Sequence, residues 1–319
     1  MTPARFARCV VVGGSGAVGG MFAGLLRDHG SQLCVADLVP PAGACGWPGS
    51  PPAAPPRGPA PRFLRADLYA PARELRDEIA TADLVILAVP EAVALAAVAA
   101  VAAQMRPGSL LADTLSVKSR VCAIQRQLRG GVETASLNPM FAPSLGFAGQ
   151  AVAAVVERDG PRAAALLSLL AGARAHVIRL SADDHDRLTS VTQVLVHATV
   201  LAFALALAEL DVDLAGAAPA APPPYTTLMA LVARITGGTP EVYWDIQRAN
   251  PYAGPARQAL SNSVARLSEL ADRGDETAFG QLMRQSRGRL GDGSDGYSAL
   301  CAALFQQVRV LSPGRGGTW

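Results

Sequence analysis

Short apolar runs alternate with amphipathic stretches through the first half of the chain. Arg8 to Val12 is a valine-rich run, the pattern of a strand buried on both faces. A glycine-rich turn follows. Gly20 to His29 then carries Met21, Phe22, Leu25 and Leu26 at helical spacing, with Gly30 as the stop. Gln32 to Ala36 is a second strand ending at Asp37. Arg73 to Ala80 reads as a helix, Leu84 to Val89 as a strand closed by Pro90, and Ala92 to Gln104 as an alanine-rich helix. Leu110 to Ala112 begins a strand ending at Asp113. Ala151 to Val156 and His176 to Leu180 are further strands, separated by a helix over Pro161 to Ala171. Alternation of this kind predicts an α/β fold with a doubly wound parallel sheet.

After about Ser181 the strand pattern stops. Helical stretches cover Asp184 to Leu210, Thr226 to Thr236, Pro240 to Ala249, Pro255 to Arg273, Glu276 to Arg287 and Tyr297 to Leu311. The expectation is a first domain over 1–180 and an all-α domain over 181–319. Pro40 to Pro61 is rich in proline and small residues, cannot bury a core, and is expected to be a mobile surface insertion. Ala198 to Ala208 is the most apolar segment. It is shorter than the ~20 residues that span a bilayer, so a buried interface helix is the expectation. The apolar helix from Val191 to Leu210 and the helical second half suggest a homodimer.

Composition narrows the function classes. The chain has 319 residues, half of them apolar and 17% charged, enough for two globular domains. A formal net charge of +2 gives no electrostatic case for nucleic acid or membrane surfaces. Cys9, Cys34, Cys45, Cys122 and Cys301 are scattered with no Cys-x-x-Cys pair. No zinc site or disulfide framework is suggested, and free thiols fit a reducing compartment. The apolar run near the N-terminus is too short for a secretory signal, so a cytoplasmic location is expected.

Gly14-Ser15-Gly16-Ala17-Val18-Gly19 is a Gly-x-Gly-x-x-Gly set. It directly follows a strand, opens a helix and precedes the strand-end Asp37. In a Rossmann-type sheet Gly14 permits the tight turn, Gly16 lets the backbone approach a pyrophosphate, and Gly19 allows close helix packing. The helix N-terminus offers free N–H groups to the phosphates. Asp37 would accept hydrogen bonds from ribose hydroxyls and repel a 2′-phosphate, which favours NAD over NADP. Val89-Pro90 would line the nicotinamide side of the cleft, or would simply end its strand.

Polar chemistry clusters downstream. Ser116-Val117-Lys118 follows Asp113, and Leu137-Asn138-Pro139-Met140-Phe141-Ala142-Pro143 comes about 20 residues later. His185-Asp186 opens the first long helix. His185, Thr189, Gln193 and His197 recur every four residues and would share one drifting helix face. Tyr225 and Arg234 fall on one predicted helix. Together these motifs resemble the prephenate dehydrogenase family, including the arogenate dehydrogenases, from Val10 to roughly Arg257.

The resemblance implies a Rossmann domain, an intertwined helical dimer, and oxidative decarboxylation of a cyclohexadienyl substrate. Ser116 would contact the substrate or catalytic group, and Lys118 would support the cleft. His185, Gln193 and His197 would line the pocket, and Arg234 would clamp the ring carboxylate. Blander roles stay open at this stage: Ser116 as a helix cap, Lys118 as a surface or structural lysine, His185 as a cap, His197 as a core residue, Arg234 in an interdomain ion pair, and Asp186 as structural. Asn138 stands where the family keeps a catalytic histidine. Ala142 replaces the family glycine, and Thr226 replaces an arginine common in bacterial members.

Histidine can take a proton near neutral pH, whereas an asparagine amide only donates and accepts hydrogen bonds. When hydride leaves a carbon bearing a hydroxyl, the oxygen's proton becomes strongly acidic and a base must take it. When the carbon bears an amine, the nitrogen lone pair supplies the push and no proton need leave. Asn138 therefore predicts a substrate with an amine at C4, as in 4-amino-4-deoxyprephenate, with 4-aminophenylpyruvate as product. The alternatives are an ordinary prephenate or arogenate enzyme using His185 or His197 as base, and an inactive NAD-binding homologue.

Overall fold

The structure is a computed structural model, and it describes residues 6–41, 59–210 and 220–311. The chain divides into two compact units: Met1–Leu188 with Ala249–Pro251, and Thr189–Arg248 with Tyr252–Trp319. The division falls later than the expected one at Ser181. The first turns of the long helix belong with the sheet because Asp186 is bonded there, and Asn250 Nδ2 donates to Asp186 O at 2.9 Å. The expected insertion lies mostly outside the described residues, as does Cys45.

The first unit is built on an eight-stranded sheet of order β3-β2-β1-β4-β5-β6-β7-β8. Its strands are β1 Arg8–Val12, β2 Gln32–Asp37, β3 Arg62–Arg65, β4 Leu84–Leu87, β5 Leu110–Asp113, β6 Glu133–Pro139, β7 Ala151–Arg158 and β8 His176–Arg179. All neighbours pair in parallel except β6 with β7. Helices α1 Ala17–Asp28, α2 Arg73–Thr81, α3 Glu91–Gln104, α4 Ser119–Gln127 and α5 Pro161–Gly172 cover its two faces. Each face has its own apolar core. Phe22, Leu26, Val35, Ile86, Leu137 and Leu166 belong to one, and Val10, Leu75, Ile79, Val85, Val98 and Leu111 to the other. The strand order reverses between β1 and β4, and ligands of doubly wound sheets bind in the crevice at such a point.

Strands β3 and β6 and helix α4 are absent from the hydrophobic pattern. β6 reads Glu-Thr-Ala-Ser-Leu-Asn-Pro, yet its first six residues are buried. Its polar side chains are satisfied locally: Ser136 Oγ donates to Asp113 at 2.7 Å, and Thr134 Oγ1 accepts from Arg158 N at 3.1 Å. A strand of this kind carries no apolar run to detect.

The long helix, α6, runs Ala182–Glu209 and contains a π-helical segment at Ser190–Leu195. Ser181 caps it, its Oγ accepting from Asp184 N at 3.1 Å. The extra residue per turn of a π segment breaks the α-helical phase, so the four-residue spacing from His185 to His197 does not draw one regular α-helical face. At 28 residues α6 is also longer than the apolar run alone suggested, and by length and composition it passes for a membrane span. Helices α7 Pro223–Thr236, α8 Pro240–Ala249, α9 Ala253–Asp272, α10 Glu276–Gly288 and α11 Ser294–Leu311 follow. Within the second unit, Val194, Ile246 and Ala253 form a small core.

Candidate active site

The loop between β1 and α1 is shaped by close backbone approaches. Gly13 has φ +78°, and a Cβ there would lie 2.1 Å from Ala88 O. The tight turn therefore belongs to Gly13 and not to Gly14, whose Cβ would instead meet Val35 Cγ1 at 2.9 Å. A Cβ at Gly19 would lie 2.2 Å from Gly13 O, so the helix packs onto the turn as the spacing predicted. At Gly16 a Cβ would meet only Gly13 O, at 3.3 Å, which leaves that side of the loop open. Gly16 is the N-cap of α1 with no side-chain cap and no acidic residue in the first turn. Its free N–H groups suit an anion.

At the end of β2, Asp37 Oδ2 accepts from Ser15 N at 3.0 Å and Oδ1 from Leu38 N at 2.7 Å. Ser15 Oγ donates to Val39 O at 2.7 Å. Val89 and Pro90 follow β4, with Pro90 at the N-cap of α3. Glycines, Asp37 and the β4 end thus surround the switch point, and they fit a dinucleotide whose pyrophosphate faces the α1 N-terminus.

A second constellation sits beyond the ends of β5 and β6, around Lys118. This is the only lysine in the chain, and it is fully buried. Its Nζ donates to Leu115 O and, at 2.8 Å, to Leu137 O, and lies 3.6 Å from Asp113 Oδ1. Asp113 also accepts from Leu115 N, Ser136 Oγ and Gln125 Nε2. Asp186 accepts from Lys118 N and Ser119 N, each at 2.9 Å, and from Ser119 Oγ. Burial lowers the Lys118 pKa, while Asp113 opposes that fall. Burial works to raise the Asp186 carboxyl, but bonds from His185 and Ser119 outweigh it and hold the group below its ordinary range.

His185 connects this network to Asn138. Its Nδ1 lies 2.8 Å from Asp186 Oδ1, and its Nε2 lies 3.1 Å from Asn138 Nδ2. Asn138 Nδ2 can only donate, so Nε2 accepts and the ring proton sits on Nδ1, directed at Asp186. Burial pushes the His185 pKa below its ordinary value, consistent with a neutral ring. Both His185 and Asn138 are buried. The loop after Asn138 is braced on the nucleotide-side helix: Phe141 packs edge-on against Phe147, and Phe147 against Phe22 of α1.

The structure brings Asn138, His185 and Lys118 together, and it adds Asp113, Ser119 and Asp186 to the group. The sequence marks Asp113 only as a strand end and Asp186 as structural. The signal the sequence offers is a single lysine in the whole chain, placed shortly after the strand-end Asp113. The surface reading of Lys118 and the capping reading of His185 both fall away. Ser116 is half-buried and is not the cap of α4, a position held by Lys118.

In the second unit, His197 packs edge-on against Tyr243, with centroids 4.9 Å apart. Its Nδ1 is buried without a hydrogen-bond partner. Burial lowers its pKa, and the charge of Arg234 lowers it further. Arg234 itself is exposed near the end of α7, and among the described residues it forms no ion pair. Tyr225, on the same helix, packs edge-on with Phe203. Gln193 lies in the π-helical segment, where Gln247 Nε2 donates to Val194 O at 2.9 Å. Among the described residues no group of three His, Cys, Asp or Glu is placed to hold a metal ion.

A switch-point glycine loop, an acidic β2 terminus and a buried polar cluster beyond β5 and β6 define a dinucleotide-dependent oxidoreductase. Residues 181–285 match the family description "Prephenate dehydrogenase, dimerization domain". The chain is 47% identical over 300 residues to the 4-amino-4-deoxyprephenate dehydrogenase of Streptomyces pristinaespiralis, covering 94% of this chain and 97% of that protein. It is 28% identical to a probable arogenate/prephenate dehydrogenase of Methanocaldococcus jannaschii, over 66% of this chain and 48% of that protein. The A. aeolicus prephenate dehydrogenase, solved with hydroxyphenyl propionate and NAD+, has the same fold, with a TM-score of 0.67 at 17% identity over 90% of this chain and 98% of that one. The chain belongs to the prephenate dehydrogenase family. It is a dehydrogenase, and its cofactor is NAD.

Proposed function

We propose that the enzyme converts 4-amino-4-deoxyprephenate to 4-aminophenylpyruvate by oxidative decarboxylation, without a histidine general base. The observation that carries this reading is the state of Asn138. One N–H of its amide is given to His185, which fixes the orientation of the amide and leaves the carbonyl oxygen as the acceptor it can offer a substrate. That oxygen accepts an N–H well and cannot remove a proton. Bound NAD supplies the hydride acceptor. Decarboxylation at C1 returns electrons to the ring, which becomes an aniline with its amine protons retained.

In this reading Gly14, Ser15, Gly16, Ala17, Val18 and Gly19 hold the pyrophosphate, Asp37 the adenine-side ribose, and Val89 and Pro90 the nicotinamide side. Ser116 and Asn138 face the reacting carbon. Arg234 binds the ring carboxylate, and His185, Gln193 and His197 shape the pocket. The close relative from S. pristinaespiralis bears the same substrate in its name. The alternative with His185 as base is weakened because both ring nitrogens are already engaged. His197 as base is disfavoured by burial and by the charge of Arg234, which lower its affinity for a proton. A cytoplasmic homodimer completes the reading. The family description supports the dimer, as do Leu205, Val264, Leu267, Met283 and Leu304, which stand exposed on the helical unit.

The reading predicts NADH formation from 4-amino-4-deoxyprephenate, with carbon dioxide and 4-aminophenylpyruvate identified by mass spectrometry. Absence of turnover by folded, NAD-binding enzyme contradicts it. A second expectation concerns Asp37. Asp37→Ser removes the charge that repels a 2′-phosphate and the acceptor for ribose hydroxyls. The ratio of kcat/KM for NAD over NADP should fall at least about tenfold, the equivalent of ~1.4 kcal/mol; an unchanged ratio would remove Asp37 from the ribose site.

A further inference from the structure

Asn138 Oδ1 takes no hydrogen bond from any described residue, and it is absent from the polar atoms sealed away from solvent. The same side chain is otherwise buried, and its Nδ2 is fixed on His185 Nε2 at 3.1 Å. An amide rotated by half a turn would place Oδ1 against Nε2, and two acceptors would then face each other unless His185 gained a second proton. His185 cannot easily rotate in response, because Nδ1–H is held by Asp186, which is itself fixed by the backbone N–H groups of Lys118 and Ser119.

We infer that His185 is a positioning residue that sets substrate specificity through Asn138: by accepting the amide N–H, it holds the Asn138 carbonyl outward as an acceptor for the substrate's amine. This role rests on the proposed amine substrate. The chain of positioning runs from backbone to Asp186, to His185, to Asn138, to the C4 nitrogen. A neutral amine offers N–H donors to an outward carbonyl, whereas an outward NH2 would offer the amine's hydrogens no acceptor. The tautomer of His185 thus selects which half of an otherwise ambiguous amide the substrate meets.

A double-mutant cycle tests this, with kcat for 4-amino-4-deoxyprephenate measured at saturating NAD. His185→Leu should lower kcat on the order of tenfold in the Asn138 enzyme, about the effect of one hydrogen bond. In the Asn138→Ala background the same change should cost less than about twofold, because nothing remains to be positioned. The conservative pair His185→Gln and His185→Asn keeps the test open if leucine disturbs folding. Glutamine can set an acceptor near the Nε2 position and should recover most of the loss, while asparagine reaches only the Nδ1 position and should not. KM for NAD should be unchanged throughout. Equal losses in both Asn138 backgrounds, or equal activity of the glutamine and asparagine variants, would overturn the role of His185 alone. No turnover of the amine substrate by the unaltered enzyme would overturn the substrate reading and this role with it.

Discussion

Asn138→His should raise kcat/KM for prephenate by about 10²–10⁴-fold, the contribution of a positioned general base. The surroundings favour such a swap. His185 Nε2 accepts a hydrogen bond from position 138 and is held in that state by Asp186. An imidazole at 138 can donate one N–H to the same acceptor and present its other nitrogen, unprotonated, to the substrate. The asparagine presents a carbonyl there instead. The same variant should turn over 4-amino-4-deoxyprephenate more slowly, because an imidazole that becomes protonated repels the substrate's ammonium form. Prephenate turnover in the variant should also acquire an acid limb, since the new base works only when neutral. Steady-state rates with both substrates across pH check this. No gain with prephenate, in a variant that folds and binds NAD, would mean that positions such as Ala142 and Thr226 also exclude the hydroxyl substrate.

Lys118→Met should be the most destabilising single change in the site, by about 3–5 kcal/mol, because breaking a buried ion pair leaves its partner charge uncompensated. Three acceptors lose their partner at once: Asp113 and the carbonyls of Leu115 and Leu137. Leu137 immediately precedes Asn138, so the loss also frees the strand that carries the reacting side chain. A drop in Tm of roughly 6–20 °C follows from that free energy for a domain of this size. Lys118→Arg should not rescue stability, because a rigid planar guanidinium cannot replace a compact ammionium-type point charge held by two carbonyls in a sealed space. Differential scanning calorimetry checks both variants. A Tm within a degree or two of the unaltered enzyme would show that Lys118 is neutral or dispensable in the buried network.

The sheet and the helical half were legible because their signals are local. Valine runs, helical spacing and glycine stops each report on a few consecutive residues, and the helix Pro240–Ala249 falls where its pattern placed it. The nucleotide loop was legible for the same reason, except that the left-handed turn sits one residue earlier, at Gly13. β6 was not legible: Ser136 and Asn138 are polar, and their partners come from elsewhere in the fold. Asn138 and His185 are 47 positions apart, and Lys118 and Asp186 are 68 apart. No spacing rule links such residues. The sequence therefore displayed Asn138 as a missing base and left unseen what orients the amide in its place. The π-helical turn in α6 was hidden because its residues, Ser190–Leu195, carry no glycine or proline to mark a break in the helix.

The central claim is that a carbonyl at position 138 suits an amine at C4 and fails a hydroxyl. Its most direct test is the ratio of kcat/KM for 4-amino-4-deoxyprephenate over prephenate, measured by NADH formation with the unaltered enzyme under one set of conditions. The account predicts a ratio of at least about 100, the lower end of what a general base contributes. A ratio at or below one, with prephenate turned over as fast as the amine, would contradict it.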